Sequence, residues 1–268
     1  MSGYHLKMIA LVTMLIDHIA AVVIGRFYAA SYHITEAIQS STLIGDKMIL
    51  WVAENQEVVY SIYEVMRIIG RMAFPIYCFL LVEGFLHTRS VGKYVLRLLL
   101  FAFLSEIPFD LAIAQTWFSL DYSNVFFTLC LGLLLIWGIS FVEKFYEFWQ
   151  EKNWELLTGK VVSLFMGGMM VAVAAAFAEM VLHCDYGFAG IAAILVLYLF
   201  RSSKEIAFSF CIFVLTVFAG TIEFVAIAML AVVKRYDGSR GKSLKYVFYA
   251  FYPVHLLLLA LVCIGAGV

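Results

Sequence analysis

"KMIALVTMLIDHIAAVVIGR", residues 7–26, carries one charged residue between its basic ends, Asp17, and beside it stands His18. A helix of about 20 residues rises about 30 Å, the thickness of a bilayer's hydrocarbon core. The rest of the chain is of the same kind: of 268 residues, 64% are hydrophobic and 14% charged, and the mean hydropathy is +0.97. Globular domains are about 25% charged, so this much apolar surface exceeds what one soluble core hides. The fold class that follows is all-α, a polytopic integral membrane helical bundle. The opening run is not read as a signal peptide. It lacks a small-residue cleavage site, contains the Asp-His pair and leads into further spans.

Stretches able to cross the membrane fall near 7–26, 58–86, 93–113, 124–142, 161–183, 186–200, 205–219, 220–233 and 244–264, about nine spans. Residues 205–233 are either one long helix or two short pieces, as crossings or as a re-entrant pair. Charge favours two. With the N-terminus cytoplasmic, two pieces keep Arg89, Lys93, Arg97, Lys144, Lys152, Lys160, Arg201, Lys204 and the basic run "KRYDGSRGKSLK" (234–245) inside, leaving Arg26 and Lys47 outside. One helix would send that run to the exterior, against the positive-inside bias. The external loop 27–57 is polar, with an apolar patch "MILWVA" (48–53) suited to the membrane surface. The segment "EKFYEFWQEKNWELLTGK" (143–160) alternates charges with aromatics and reads as a cytoplasmic interfacial helix. No repeat or linker divides the chain, so residues 1–268 are expected to form a single domain. Cys78, Cys130, Cys211 and Cys263 lie in apolar runs, without CxxC spacing or a disulfide framework.

Ionisable groups at membrane depth carry the functional signal, since each costs about 2.5–3.5 kcal/mol at the bilayer centre on insertion scales. Counting helical rise from the charged edges places Asp17, His18, Arg67 and His255 about 15 Å into their spans, and Arg71 and Glu106 about 20 Å. Asp110 lies nearer the exterior. Arg67 and Arg71 share one helix face, and so do Glu106 and Asp110. Arginine stays protonated, so the two guanidiniums must meet carboxylates, carbonyls or an anionic ligand. Arg71 with Glu106 is one candidate ion pair. Pro75 in "RMAFPIY" and Pro108 in "SEIPFDL" are expected to kink their helices and open backbone carbonyls, and Pro253 does the same before His255. Glu83 and Glu179 sit near span ends and Glu223 at the start of a short span, where solvent would satisfy them. His183 and Asp185 in "LHCDYG" are a weak pair of metal ligands, and no metal is expected.

Adjacent residues of a helix diverge by about 100°, so Asp17 and His18 do not form a dyad on one face. An imidazole suits proton transfer, which makes His18 the candidate base and Asp17 its partner or orienting group.

Taken in order, "LKMIALVTMLIDHIAAVV" (6–23), "MRIIGRMAFPIYCFLLVEGFLHTRS" (66–90), "FLSEIPFDLA" (103–112), "NVFFTLCLGLL" (124–134), "DYGFAGI" (185–191) and "YDGSRGKSLKYVFYAFYPVHLLLL" (236–259) resemble the TraX family. TraX of conjugative plasmids is associated with N-terminal acetylation of pilin. The family resembles the wider group of transmembrane acyltransferases, which pass acyl groups from acyl-CoA to acceptors at or beyond the membrane. The resemblance implies a transmembrane acyltransferase-like domain in a bacterial inner (cytoplasmic) membrane. It puts Asp17, His18, Arg67, Arg71, Glu106, Asp110 and His255 in the family's polar positions.

The leading expectation is therefore acetyl-CoA-dependent N- or O-acetyl transfer. His18 would serve as base or transient acyl carrier, oriented by Asp17 or Glu106, with Arg67 or Arg71 facing the developing oxyanion and His255 completing the catalytic set. Asp110 and Glu83 are candidate substrate contacts. Arg240 and Lys242 in "YDGSRGK", with Arg89 and Lys93, are candidates for the CoA phosphates, although topology alone also explains their charge. The expected partners are an acyl-CoA donor, an acceptor peptide, glycan or small molecule, membrane lipid and a second copy in a homodimer. A formal net charge of −1 gives no reason to expect nucleic acid. Two other classes draw on the same residues. One is a proton-coupled transporter, whose relays use buried Asp, Glu, His and Arg. The other is a membrane b-type cytochrome with His18 and His255 as axial ligands.

Overall fold

The computed structural model describes residues 1–119, 121–150, 168–169, 172–173, 175–178, 180–242 and 245–268. About half of the expected span at 161–183 lies outside the described residues, as do Lys152, Lys160 and Glu179. The described residues are helical and hold no strand, only an isolated bridge between Ser123 and Cys184. Among them four helices are long and apolar enough to cross a membrane: Gly3–Ala30, Gln56–His87, Val125–Lys144 and Tyr246–Ala266. The protein is an all-α membrane protein.

Helix α1 spans Gly3–Ala30, α2 Glu36–Ser40, α3 Ile44–Glu54, α4 Gln56–Gly70 and α5 Ala73–His87. Then come α6 Val91–Phe109, α7 Val125–Gln150, α8 Gly187–Leu199, α9 Lys204–Phe218, α10 Leu230–Lys234 and α11 Lys245–Ala266. Helix α7 runs on through residues 143–150, the start of the expected interfacial segment. The chain divides into two compact units. The first comprises Met1–Tyr77, Phe103–Ser119 and Ile222–Val268, and the second Cys78–Ala102 and Leu120–Thr221.

In the first unit α1 packs along α4, and α11 packs against α1 and the end of α6. The helices of the chain are broken at four places among the described residues, three of them explained by the sequence. Helices α4 and α5 part at Arg71–Met72 because the Pro75 ring excludes the carbonyl four residues earlier, that of Arg71. After Pro108, α6 widens into a π-helical turn at Asp110–Ala114. Helix α9 stops at Phe218, Gly220 takes φ +133°, and Thr221–Met229 forms a 3-10 helix leading into α10. Residues 205–233 are thus two pieces. A 3-10 helix rises about 2.0 Å per residue, so its nine residues and the five of α10 reach about 25 Å, further than an α-helix of equal length. The fourth break, a π-helical stretch at Ile19–Ile24 directly after His18, has no proline or glycine before it to announce it.

Gly70 lies where α4 crosses α1. A Cβ there would overlap the Cβ and carboxylate of Asp17, neither of which is the free end of a flexible chain. Gly70→Ala is expected to cost about 1–3 kcal/mol by overpacking and to lower the melting temperature in detergent. Gly25→Ala, where a Cβ would meet neighbours only at 3.5 Å and beyond, is the control and should be neutral or stabilising.

The apolar patch 48–53 is not wholly a surface feature. On α3, Ile49 and Val52 bury against Phe27 and Val59, with Val23, Ile34 and Ile38 around them, while Met48 and Trp51 stay exposed. In the second unit α8 packs against both α7 and α9, with Leu133, Ile136, Ile194, Phe208 and Ile212 fully buried. Asn124 opens α7: its Oδ1 accepts from Phe126 N at 3.0 Å and its Nδ2 donates to Ala102 O at 2.8 Å.

Candidate functional site

The divergence of neighbouring helical residues sends Asp17 toward α4 and His18 toward α11. Asp17 Oδ2 accepts from Arg67 Nη1 at 2.8 Å and its Oδ1 from Arg71 Nη2 at 3.2 Å. Arg71 Nη1 donates to Glu223 Oε1 at 3.1 Å, and its Nε donates to the carbonyl of Arg67 at 3.3 Å. Two guanidiniums and two carboxylates therefore form one charge-balanced cluster inside the first unit, drawn from α1, α4, the α4–α5 break and the 3-10 helix. The helix break at Arg71–Met72 fixes where the second guanidinium enters.

Two expectations change here. Glu223 was read as solvated at a span end, yet its side chain is 2% exposed and ion-paired. A 3-10 helix superposes residues three apart, so Glu223 and Ala226 share the buried side. Arg71 meets two carboxylates, Asp17 and Glu223, that the sequence did not pair with it. The two arginines also differ. Arg71 is 15% exposed with every guanidinium nitrogen engaged, whereas Arg67 is 27% exposed. Arg67 spends only Nη1 on Asp17, so its Nε and Nη2 have no partner among the described residues.

His18 Nδ1 lies 2.7 Å from His255 Nε2, with the ring centroids 4.9 Å apart. His255 Nδ1 lies 2.7 Å from the carbonyl oxygen of Phe251, one turn earlier on α11, and Tyr252 meets the His18 ring edge-on at 6.0 Å. The expected orienting carboxylates, Asp17 or Glu106, are not what holds this imidazole; His255 is. Asp17 is committed to the guanidiniums. The cytochrome reading meets an obstacle as well, because two rings in direct hydrogen-bond contact leave no space between them for a haem iron.

Glu106 and Asp110 are both buried on α6 and the turn that follows it. Asp110 Oδ2 accepts from Ser119 N at 2.8 Å, while its Oδ1 is buried without a hydrogen-bond partner among the described residues. Sequence reasoning placed Arg26 outside and gave it no role. It is buried, and its Nη2 donates to the carbonyls of Leu111 and Ala112, the latter at 2.8 Å. Those carbonyls belong to the π-helical turn after Pro108, so the signal was a proline-loosened helix end together with a cation at similar depth.

The remaining candidates lie elsewhere. Glu83 on α5 and Arg89 and Lys93 around the α5–α6 turn belong to the second unit. Arg240 and Lys242 belong to the first unit, exposed on the loop after α10. That loop is fastened to the start of α1: Gly3 N donates to Ser239 O at 2.7 Å, and Gly241, at φ +67°, leaves no room for a Cβ beside Ser2. Within the loop, hydrogen bonds from the Ser239 side chain and backbone N–H hold the Asp237 carboxyl down at about 2. Asp237 therefore stays charged at neutral pH and keeps the turn closed beside the two cations.

A curated relative, the probable fimbrial assembly protein FimC, serogroup H1, of Dichelobacter nodosus, is 29% identical over 222 residues, covering 74% of this chain and 82% of its own. No solved structure matches the chain. The family described as TraX protein matches residues 2–263, and the chain belongs to that family.

Proposed function

We propose that this protein is an acetyltransferase embedded in the bacterial cytoplasmic membrane. In this reading it has about nine spans and a cytoplasmic N-terminus, and it moves an acetyl group from acetyl-CoA to an amine or hydroxyl at the membrane or beyond it. One observation carries the reading: His18 keeps a ring nitrogen without a partner among the described residues, next in sequence to the carboxylate that holds the partly open guanidinium of Arg67.

The chemistry needs both groups. The acceptor's lone pair forms the new C–N or C–O bond at the thioester carbon, and the acceptor's proton passes to His18. The carbonyl oxygen becomes an oxyanion, which the open Nε–H and Nη2–H of Arg67 suit. The C–S bond then breaks, and His18 returns its proton to the departing thiolate. Arg71 keeps Arg67 and Asp17 in register and does not itself meet the substrate. Arg240 and Lys242, on a loop pinned to the start of α1, are the first-unit cations suited to the CoA phosphates; Asp110, whose buried Oδ1 has no hydrogen-bond partner among the described residues, remains the candidate acceptor contact. The relative's name refers to fimbriae, so the amino group of a fimbrial or pilin-type subunit is the first acceptor to test.

Purified protein incubated with labelled acetyl-CoA and envelope extract is expected to move label to an acceptor absent from protein-free controls. A second reading rests on the helix break at Gly220 and on Glu223 bonded to Arg71, features shared with transporter half-helices. Gradient-driven uptake by proteoliposomes lacking acetyl-CoA, with no label transfer in the first assay, would replace the acetyltransferase reading by transport.

A further inference from the structure

We propose that His255 is the positioning residue of this site: it holds His18 as the Nδ1–H tautomer, so that Nε2 is the nitrogen that meets the acceptor's proton. The catalytic consequence rests on the acetyltransferase reading; the tautomer rests on geometry alone.

The assignment follows by elimination along a short chain of hydrogen bonds. A backbone carbonyl only accepts, so the atom 2.7 Å from Phe251 O, His255 Nδ1, is the donor. A neutral imidazole carries one N–H, so His255 Nε2 then holds a lone pair. That lone pair faces His18 Nδ1 at 2.7 Å, so His18 Nδ1 is the donor of that bond. The one N–H of neutral His18 is thereby spent, and its lone pair sits on Nε2, where no described residue bonds it. The opposite arrangement sets the Nδ1 lone pair of His255 against the Phe251 carbonyl, two acceptors at hydrogen-bond distance. The anchor is rigid: His255 is buried, its ring stacks on Phe251 at 4.6 Å, and Tyr252 packs edge-on against both imidazoles. In many hydrolytic sites a carboxylate fixes the base's tautomer. Here the nearby carboxylate, Asp17, is neutralised by Arg67 and Arg71, and a second histidine tied to a backbone carbonyl takes that place.

The proton account closes. During transfer His18 Nε2 gains the acceptor's proton and becomes imidazolium, with Nδ1–H still donated to His255 Nε2. Giving that proton to the leaving thiolate returns both rings to their starting tautomers, with no net change at His255.

Long-range 1H–15N spectra of the full-length protein, labelled with 15N-histidine and held in lipid nanodiscs, read the tautomers directly. The His18 and His255 signals are assigned by their loss in His18→Ala and His255→Ala. Both are expected as Nδ1–H. In His255→Ala, His18 should revert to the Nε2–H form that prevails for free histidine. In His255→Gln, whose amide oxygen can accept at the same place, it should keep Nδ1–H. With labelled acetyl-CoA, kcat is expected to fall about 10–100-fold in His255→Ala, the usual cost of removing the group that orients a functional histidine. It should recover in His255→Gln, with KM for acetyl-CoA unchanged in both. An Nε2–H His18 in the wild type, or loss of Nδ1–H in a folded His255→Gln, overturns the inference whatever the activity. Intact Nδ1–H tautomers with no acetyl transfer by the wild type leave the tautomer lock standing and overturn the enzyme reading.

Discussion

His18→Ala is expected to reduce acetyl transfer by about 10²–10⁴-fold, the usual contribution of a positioned general base, while the variant purifies and melts close to the wild type. The two halves of that expectation have separate causes. Removing the imidazole removes the acceptor for the substrate's proton, and Asp17 cannot replace it because both its oxygens are bonded to guanidiniums. Structurally the change deletes a neutral ring and leaves His255 Nε2 without its donor, a loss of about 0.5–1.5 kcal/mol for a neutral hydrogen bond. The four-charge cluster survives, since none of its bonds involves His18. Label transfer and thermal unfolding of the same purified sample check both. A fully active variant ends the role of His18 as base.

What the sequence made legible and what it did not divide along physical lines. The membrane helices were readable because twenty-residue apolar runs bounded by charge have few other fates, and the residues that matter fell inside those runs. Pro75 announced the break beside Arg71, and the charge bias predicted that 205–233 is two pieces, which Gly220 then divides. The 100° rule separated Asp17 from His18, which meet partners on different helices. Partner choice was not readable. Pairing Arg71 with Glu223 joins residues far apart in sequence through a 3-10 helix, whose tighter winding turns inward a carboxylate that an α-helical count leaves at a span end. His18 finding His255 likewise depends on how α11 packs on α1, which no local pattern encodes. The π-helical stretch after His18 carries no composition signal, since Ile, Ala and Val suit an ordinary helix at that depth equally well.

The second large effect falls on stability. Asp17→Asn should cost about 3–5 kcal/mol, because it leaves two always-protonated guanidiniums facing one carboxylate in a mostly buried cluster. The damage comes from imbalance more than from a lost contact, and that distinction can be tested. Arg67→Gln alone should cost less, since Arg67 is the more exposed of the two cations and gives Asp17 only one of its hydrogen bonds. Combining Asp17→Asn with Arg67→Gln restores neutrality between Arg71 and Glu223 and should recover a large part of the loss, with a coupling energy of about 0.5–3 kcal/mol in the double-mutant cycle. Thermal unfolding in one detergent, at one pH, measures all four corners. Strict additivity, or an Asp17→Asn variant within about 0.5 kcal/mol of the wild type, would mean that water reaches the cluster and screens it. A recovered double mutant that folds well yet transfers acetyl poorly would then show that the Asp17–Arg67 pair serves the chemistry and not only the fold.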